Sequence, residues 1–187
     1  MKNQHNTPRN RRDILKLTGM GAGALAFGTL GASKAQANGD TNAITQSSWI
    51  HGNNMQIEYP DNLSYIRHLG SCTQIKGHLG LTNWFHFSIP TPVYLLGSGV
   101  KAKAVMLRFE TYSIDAWIRD VHVYDAEERI ATFDELNLSE EQLDTRVELV
   151  DEPTIYYGLN IAIGVSFGVD ATMSHEMRFY AAGCDFI

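Results

Sequence analysis

Cysteine is scarce in this chain: 187 residues include only Cys72 and Cys184. Two thiols exclude a disulfide-dense scaffold and any zinc site built from four thiolates. Basic charge is scarce as well, once position is considered. Residues 38–187 carry nine Lys/Arg against twenty Asp/Glu, a net of −11, whereas residues 1–37 carry six basic residues and one acid, a net of +5. An acidic body excludes nucleic acid as a partner, because phosphates demand a basic face. After residue 37 no stretch approaches the roughly 18 uninterrupted apolar residues of a membrane span, so no span is expected in the mature chain. Helical periodicity is almost missing. What is present is core-forming material: 44% hydrophobic residues, with eight Phe, eight Tyr and three Trp. That is too much apolar content for a disordered chain.

Residues 1–37 read as an address. Arg11-Arg12 stands just ahead of Ile14-Leu15-Lys16, and Leu17 to Ala32 is a soft apolar stretch of 16 residues containing five glycines. Such a stretch is short and weak for a span. Lys34 and then Ala35-Gln36-Ala37 follow, and the small residues fit cleavage after Ala37. The segment resembles a twin-arginine signal peptide. The resemblance implies recognition by the twin-arginine translocation machinery, export of an already folded chain, and residence in the periplasm or outside the cell. The chain then folds in a reducing cytoplasm, and any disulfide forms afterwards.

Residues 38–48 are polar and read as a flexible lead-in, with one domain over residues 49–187. From Trp49 onward the hydrophobic period is two. Phe85, Phe87 and Ile89 alternate with Trp84, His86 and Ser88; Val105, Leu107 and Phe109 alternate with Met106, Arg108 and Glu110. Leu159, Ile161, Ile163, Val165 and Phe167 form the clearest ladder, with Ala162, Gly164 and Ser166 among the residues between them. Trp117, Val121 and Val123 are placed on one face of their strand, opposite Ile118, Asp120, His122 and Tyr124. Met177 and Phe179 alternate with Glu176, Arg178 and Tyr180. Only Ser139-Glu140-Glu141-Gln142 looks helical, as a capping box opening a turn or two. Short strands punctuated by Gly, Pro and Asn/Asp predict an all-β fold, an antiparallel β-sandwich or jelly roll.

Three stretches carry a second resemblance: Asn83-Trp84-Phe85-His86-Phe87-Ser88-Ile89-Pro90-Thr91-Pro92, Val121-His122-Val123-Tyr124-Asp125 and Ala182-Gly183-Cys184-Asp185-Phe186. They resemble those of an uncharacterised family of small exported β-rich bacterial proteins, over most of the mature chain. The resemblance implies the fold and brings no activity with it.

The mature histidines (His51, His68, His78, His86, His122 and His175) show no HxH or HExxH spacing, so no single element offers two metal ligands. No metal site and no cofactor are predicted, while a metal assembled from separate strands stays open. Alternation nonetheless gathers a candidate face: Trp84, His86, Arg108, Glu110, Asp120, His122, Tyr124 and Arg178 all point away from apolar ladders. If their strands are neighbours, one sheet carries aromatic, imidazole, carboxylate and guanidinium groups, the equipment of a ligand site. The plainer alternative is a wet outer face with cross-strand ion pairs. If that face binds a ligand, His122→Ala and Trp84→Ala are expected to weaken binding, and because both side chains point away from the apolar ladders each should cost about 0.5 kcal/mol or less of stability, as on a solvated face. The acidic run Asp134-Glu135, with Glu140, Glu141 and Asp144, offers oxygen ligands for Ca²⁺, but its spacing matches no EF-hand and a solvated loop is the simpler reading. No GxSxG motif or phosphate cradle follows the signal.

The function these residues indicate is a non-catalytic module that binds a small ligand, glycan or protein outside the cytoplasm, with a glycan or envelope component the named candidate. The alternatives are a small enzyme, metal-assisted or His/Asp-based, on the Trp84/His86/Asp120/His122 face, and an accessory subunit of another exported protein. Cys72 and Cys184 are expected to form a disulfide after export, the count being two with none left over. The export reading has a direct check. Arg11→Lys combined with Arg12→Lys is expected to leave the protein folded and soluble in the cytoplasmic fraction; normal export of the double variant contradicts it.

Overall fold

A computed structural model of the chain describes residues 43–187. The signal segment, its Arg11-Arg12 pair and the Ala37 cleavage site lie outside the described residues. The strands in chain order are β1 (Gln46–His51), β2 (Gln56–Ile57), β3 (Leu63–His68), β4 (Thr73–Gly77) and β5 (Thr82–Ile89). A small hairpin of β6 (Tyr94–Leu95) and β7 (Ser98–Gly99) leads to β8 (Ala102–Thr111), β9 (Ala116–Asp125) and β10 (Glu128–Phe133). Then come β11 (Glu141–Glu148), β12 (Leu159–Phe167) and β13 (Glu176–Phe186). Two antiparallel sheets result. One runs β11-β8-β13-β4-β3, with β1 also on β13; the other runs β10-β9-β12-β5-β2. Among the described residues no helix is long and apolar enough to cross a membrane.

The alternating ladders explain why the sheets stack. Phe85, Phe87, Val105, Leu107, Phe109, Ile161, Ile163 and Phe179 are each at most 1% exposed. Phe179 of the first sheet meets Phe85 and Phe87 of the second at ring-centroid distances of 5.1 and 5.9 Å. Tilted aromatic pairs of this kind add to the area they bury. Truncating any one of them to Ala leaves a cavity and costs about 3–5 kcal/mol. The fold is therefore the expected all-β sandwich, built on the expected ladders.

Several local expectations change. The lead-in ends early, because β1 begins at Gln46 and pairs Ser48 with Cys184. The capping box at Ser139–Gln142 opens no helix: Glu140 has a φ of +66°, outside the right-handed helical region, and Glu141 and Gln142 pair with Glu110 and Phe109 of β8. The placement of Trp117 and Ile118 is reversed. Along β9 and β12 the register shifts, Gly164 facing Asp120 while Val165 faces Ile118. The extra residue, Arg119, is a β-bulge that turns the two halves of β9 by one side-chain position. Ile118 is thus fully buried and Trp117 lies on the outer face.

The disulfide expectation is also corrected. Cys72 and Cys184 are free and both buried. Cys184 faces Ser48 of β1, whereas Cys72 lies just ahead of β4. Thr73 of β4 faces Phe179 of β13, which sets Cys72 beside Tyr180, four residues from Cys184. At ~3.3 Å per residue that is ~13 Å, well beyond the ~7 Å limit for bridging Cα atoms. Burial pushes the Cys184 thiol up to about 12, the nearby Asp185 carboxylate adding to it. Native protein is expected to resist alkylation at Cys184 at pH 8. Denatured protein should label twice without reductant, and an intact mass two hydrogens low would contradict the assignment.

Candidate functional site

The site follows from the register of three adjacent strands. Ala162 of β12 faces His86 of β5 on one side and His122 of β9 on the other. Gly164 lies between Trp84 and Asp120 in the same way, and Asn160 between Ser88 and Tyr124. With the odd-numbered residues of β12 in the core, these even-numbered residues face outward. Small residues thus form the floor of the sheet's centre, and large ones stand on both sides. The result is a groove of about 580 Å³, a volume in the range of ligand sites, with Trp84, His86, His122 and Tyr124 as walls. Glu58, just after β2, and Ala126, Glu127 and Arg129 of the β9–β10 hairpin extend the lining.

Glycine at position 164 makes room for the Trp84 ring. A Cβ there would lie 3.0 and 3.1 Å from carbons of the Trp84 ring and 3.0 Å from a carboxylate oxygen of Asp120. The indole therefore sits close over the strand at Gly164. Its edge is braced by His122, ring centroids 4.9 Å apart and tilted 41°, and His122 in turn meets Tyr124 edge-on at 6.5 Å. Truncating this packed set costs more than the solvated-face reading allows. The His122 side chain is only 13% exposed, so His122→Ala and Trp84→Ala each cost about 1–2 kcal/mol.

Each imidazole is oriented by a carboxylate. His86 Nε2 lies 2.9 Å from Glu58 Oε2, and its Nδ1 is 3.5 Å from the Asn160 amide. His122 Nε2 lies 2.7 Å from Asp134 Oδ1. With Nε2–H donating to its carboxylate, His86 keeps Nδ1 as an acceptor for Asn160. A hydrogen bond from Tyr59 holds the Glu58 carboxyl below its usual range against a partial desolvation, and His86 reinforces it.

The sequence placed Trp84, His86, Asp120, His122 and Tyr124 on a common face, and the structure brings all five onto one sheet. Asp120 is not a partner of either histidine. It is 6% exposed and takes the Arg119 Nε–H at 2.6 Å and the Glu135 N–H at 3.4 Å. Arg108, Glu110 and Arg178 belong to the opposite sheet, on β8 and β13, because alternation fixes a side chain's direction on its own strand and not which sheet that strand joins. There Glu110 accepts from Tyr180 at 2.8 Å and meets Arg178 at 3.5 Å, whose guanidinium lies 4.8 Å above the Tyr112 ring. His175 is used structurally, its Nε2 2.7 Å from Asp115 and its side chain 5% exposed. Sequence reasoning missed Glu58, Glu127 and Arg129, which line the groove from neighbouring segments, and the role of Asp134 in orienting His122. Asn160 and Ala162 were visible as the gaps in the β12 ladder. Among the described residues no three His, Cys, Asp or Glu side chains gather as a metal site, and Asp134 of the acidic run is engaged by His122.

Residues 44–186 match a family of unknown function, DUF6623, and the chain belongs to that family. No curated protein matches it. Among solved structures it is similar to a low-affinity xylan binding module, CBM86, from Roseburia intestinalis: 9% identity over 76% of this chain and 96% of that one, with a TM-score of 0.48. It is also similar to a family 35 carbohydrate binding module from Clostridium thermocellum (9% identity, 74% and 97% covered, TM-score 0.42). A family 29 module from Piromyces equi is similar as well (10% identity, 75% and 91% covered, TM-score 0.39).

Proposed function

We propose that this member of DUF6623 is an exported, non-catalytic module that binds a neutral glycan in the groove over β12. The observation that carries the reading is the Trp84 indole, packed close over the strand at Gly164 and lining the groove. A pyranose offers an apolar C–H face with hydroxyls around its rim. An aromatic plane accepts the first, and the oriented polar groups His86, Asn160, Glu58 and His122 accept the second. Charge narrows the class. Glu58 and Glu127 line the groove against Arg129 alone, on an acidic domain, so neutral sugars are favoured over uronates and sulfated chains. In this reading residues 1–37 deliver the module beyond the cytoplasm.

A second reading has an observation of its own. The 2.9 Å His86–Glu58 and 2.7 Å His122–Asp134 contacts are the geometry of an oriented general base. Incubation separates the two: recovery of the bound oligosaccharide unchanged supports binding, and shortened or deacylated chains support catalysis.

Glycan-array screening followed by calorimetry tests the binding reading. Trp84→Ala is expected to weaken the best array hit at least tenfold, about 1.4 kcal/mol, with the far-ultraviolet spectrum unchanged. Binding of a neutral chain should also hold when salt is raised from 50 to 500 mM. Undiminished affinity in Trp84→Ala, or an array without hits, overturns it.

A further inference from the structure

Two exposed tyrosines lie on the loop just ahead of β12, which the fold holds in place. Asp125, the last residue of β9, is 5% exposed. Its carboxylate accepts three consecutive backbone N–H groups, from Tyr156 at 2.7 Å, Tyr157 at 2.9 Å and Gly158 at 2.8 Å. A buried carboxylate is tolerated only with such compensation, and the three charge-assisted bonds clamp this loop to the end of β9. The Gly158 carbonyl also accepts the Ala126 N–H at 3.1 Å. The backbone is anchored, yet Tyr156 and Tyr157 remain 67% and 75% exposed. Neither tyrosine is needed in the core, and the clamp uses only their backbone.

Their place relative to the groove follows from the chain. Ala126 and Asn160 line the groove; Gly158 bonds the first and is two residues from the second. Trp84 lies at the Gly164 position of β12 and Tyr124 at the Asn160 position. From Gly164 to Gly158 is six residues of extended chain, ~20 Å, which is longer than any single pyranose ring. We infer that the groove's ligand is a chain rather than a monosaccharide, and that Tyr156 and Tyr157 form a second stacking subsite at the Tyr124 end, with Asp125 as its positioning residue. The inference rests on the glycan reading of the groove and adds the ligand's length and polarity along β12. Two stacking sites joined by one ligand gain affinity as linked modules do, because the second contact forms within the complex.

The experiment is a chain-length series by calorimetry, using the disaccharides and hexasaccharides of β-1,4-glucose, β-1,4-xylose and β-1,4-mannose. For the backbone that binds, the wild-type protein is expected to hold the hexasaccharide at least tenfold more tightly than the disaccharide. Tyr156→Ala with Tyr157→Ala should remove that gain and leave disaccharide affinity unchanged, while Tyr156→Phe with Tyr157→Phe should retain it, because the ring and not the hydroxyl stacks. Equal wild-type affinity for both lengths overturns the inference, and so does a double Ala variant that keeps the gain. Trp84→Ala separates the two claims. If it abolishes binding of both lengths while the tyrosine variants change nothing, the groove reading stands and only the second subsite falls. If neither this series nor the array yields a bound saccharide, both fall together.

Discussion

The contact between Trp84 and the backbone at Gly164 organises one whole face of this protein. It exists because β12 places its large side chains inward and its small ones outward. Leu159, Ile161, Ile163, Val165 and Phe167 are at most 2% exposed in the core, while Ala162 and Gly164 leave the opposite side low. A Cβ at 164 would meet the indole at about 3 Å, tighter than ordinary packing, and press on it. With glycine there, the ring sits close over the strand, His122 packs against it, and Tyr124 packs against His122. The same ladder that closes the sandwich therefore shapes the groove. Core packing and site geometry are two sides of one strand.

The tryptophans show how that face differs from an ordinary wet sheet. None of the three is in the apolar core. Trp49 is 41% exposed and lies over Gly183 of the other sheet, where a Cβ would come within 2.6 Å of its ring. Trp117 was displaced outward by the bulge at Arg119. Leaving large aromatic surface outside forgoes burial worth about 25 cal/mol per Å², and such surface on a rigid, polar-rimmed groove is the ordinary mark of recognition.

The period-two signal revealed the class of fold, the inward ladders and the four walls of the groove, because each of these depends only on neighbours along one strand. What it could not reveal depends on pairing between strands. Arg108, Glu110 and Arg178 alternate as correctly as His86 does, yet their strands enter the other sheet. The bulge at Arg119 carries no composition signal, so Trp117 and Ile118 exchanged places. Glu140–Gln142 matches a helix cap locally, but β8 supplies a partner strand, and pairing overrides local preference. Cys72 and Cys184 count as a pair in the chain and are separated in space by the β4–β13 register. Glu58 and Asp134 orient the two groove histidines from segments distant in sequence, where no pattern linked them.

In the proposed function the ligand enters the groove over β12 and not the opposite sheet. The three tryptophans make this measurable in one spectrum, since each contributes a single indole N–H resonance. Titration of isotopically labelled protein with the β-1,4-linked hexasaccharides should shift the Trp84 indole and the Ala162 and Gly164 amides together, saturably, while Trp49 stays in place. Movement of Trp49 with Trp84 unchanged, or no movement with any of the three chains, would contradict the account.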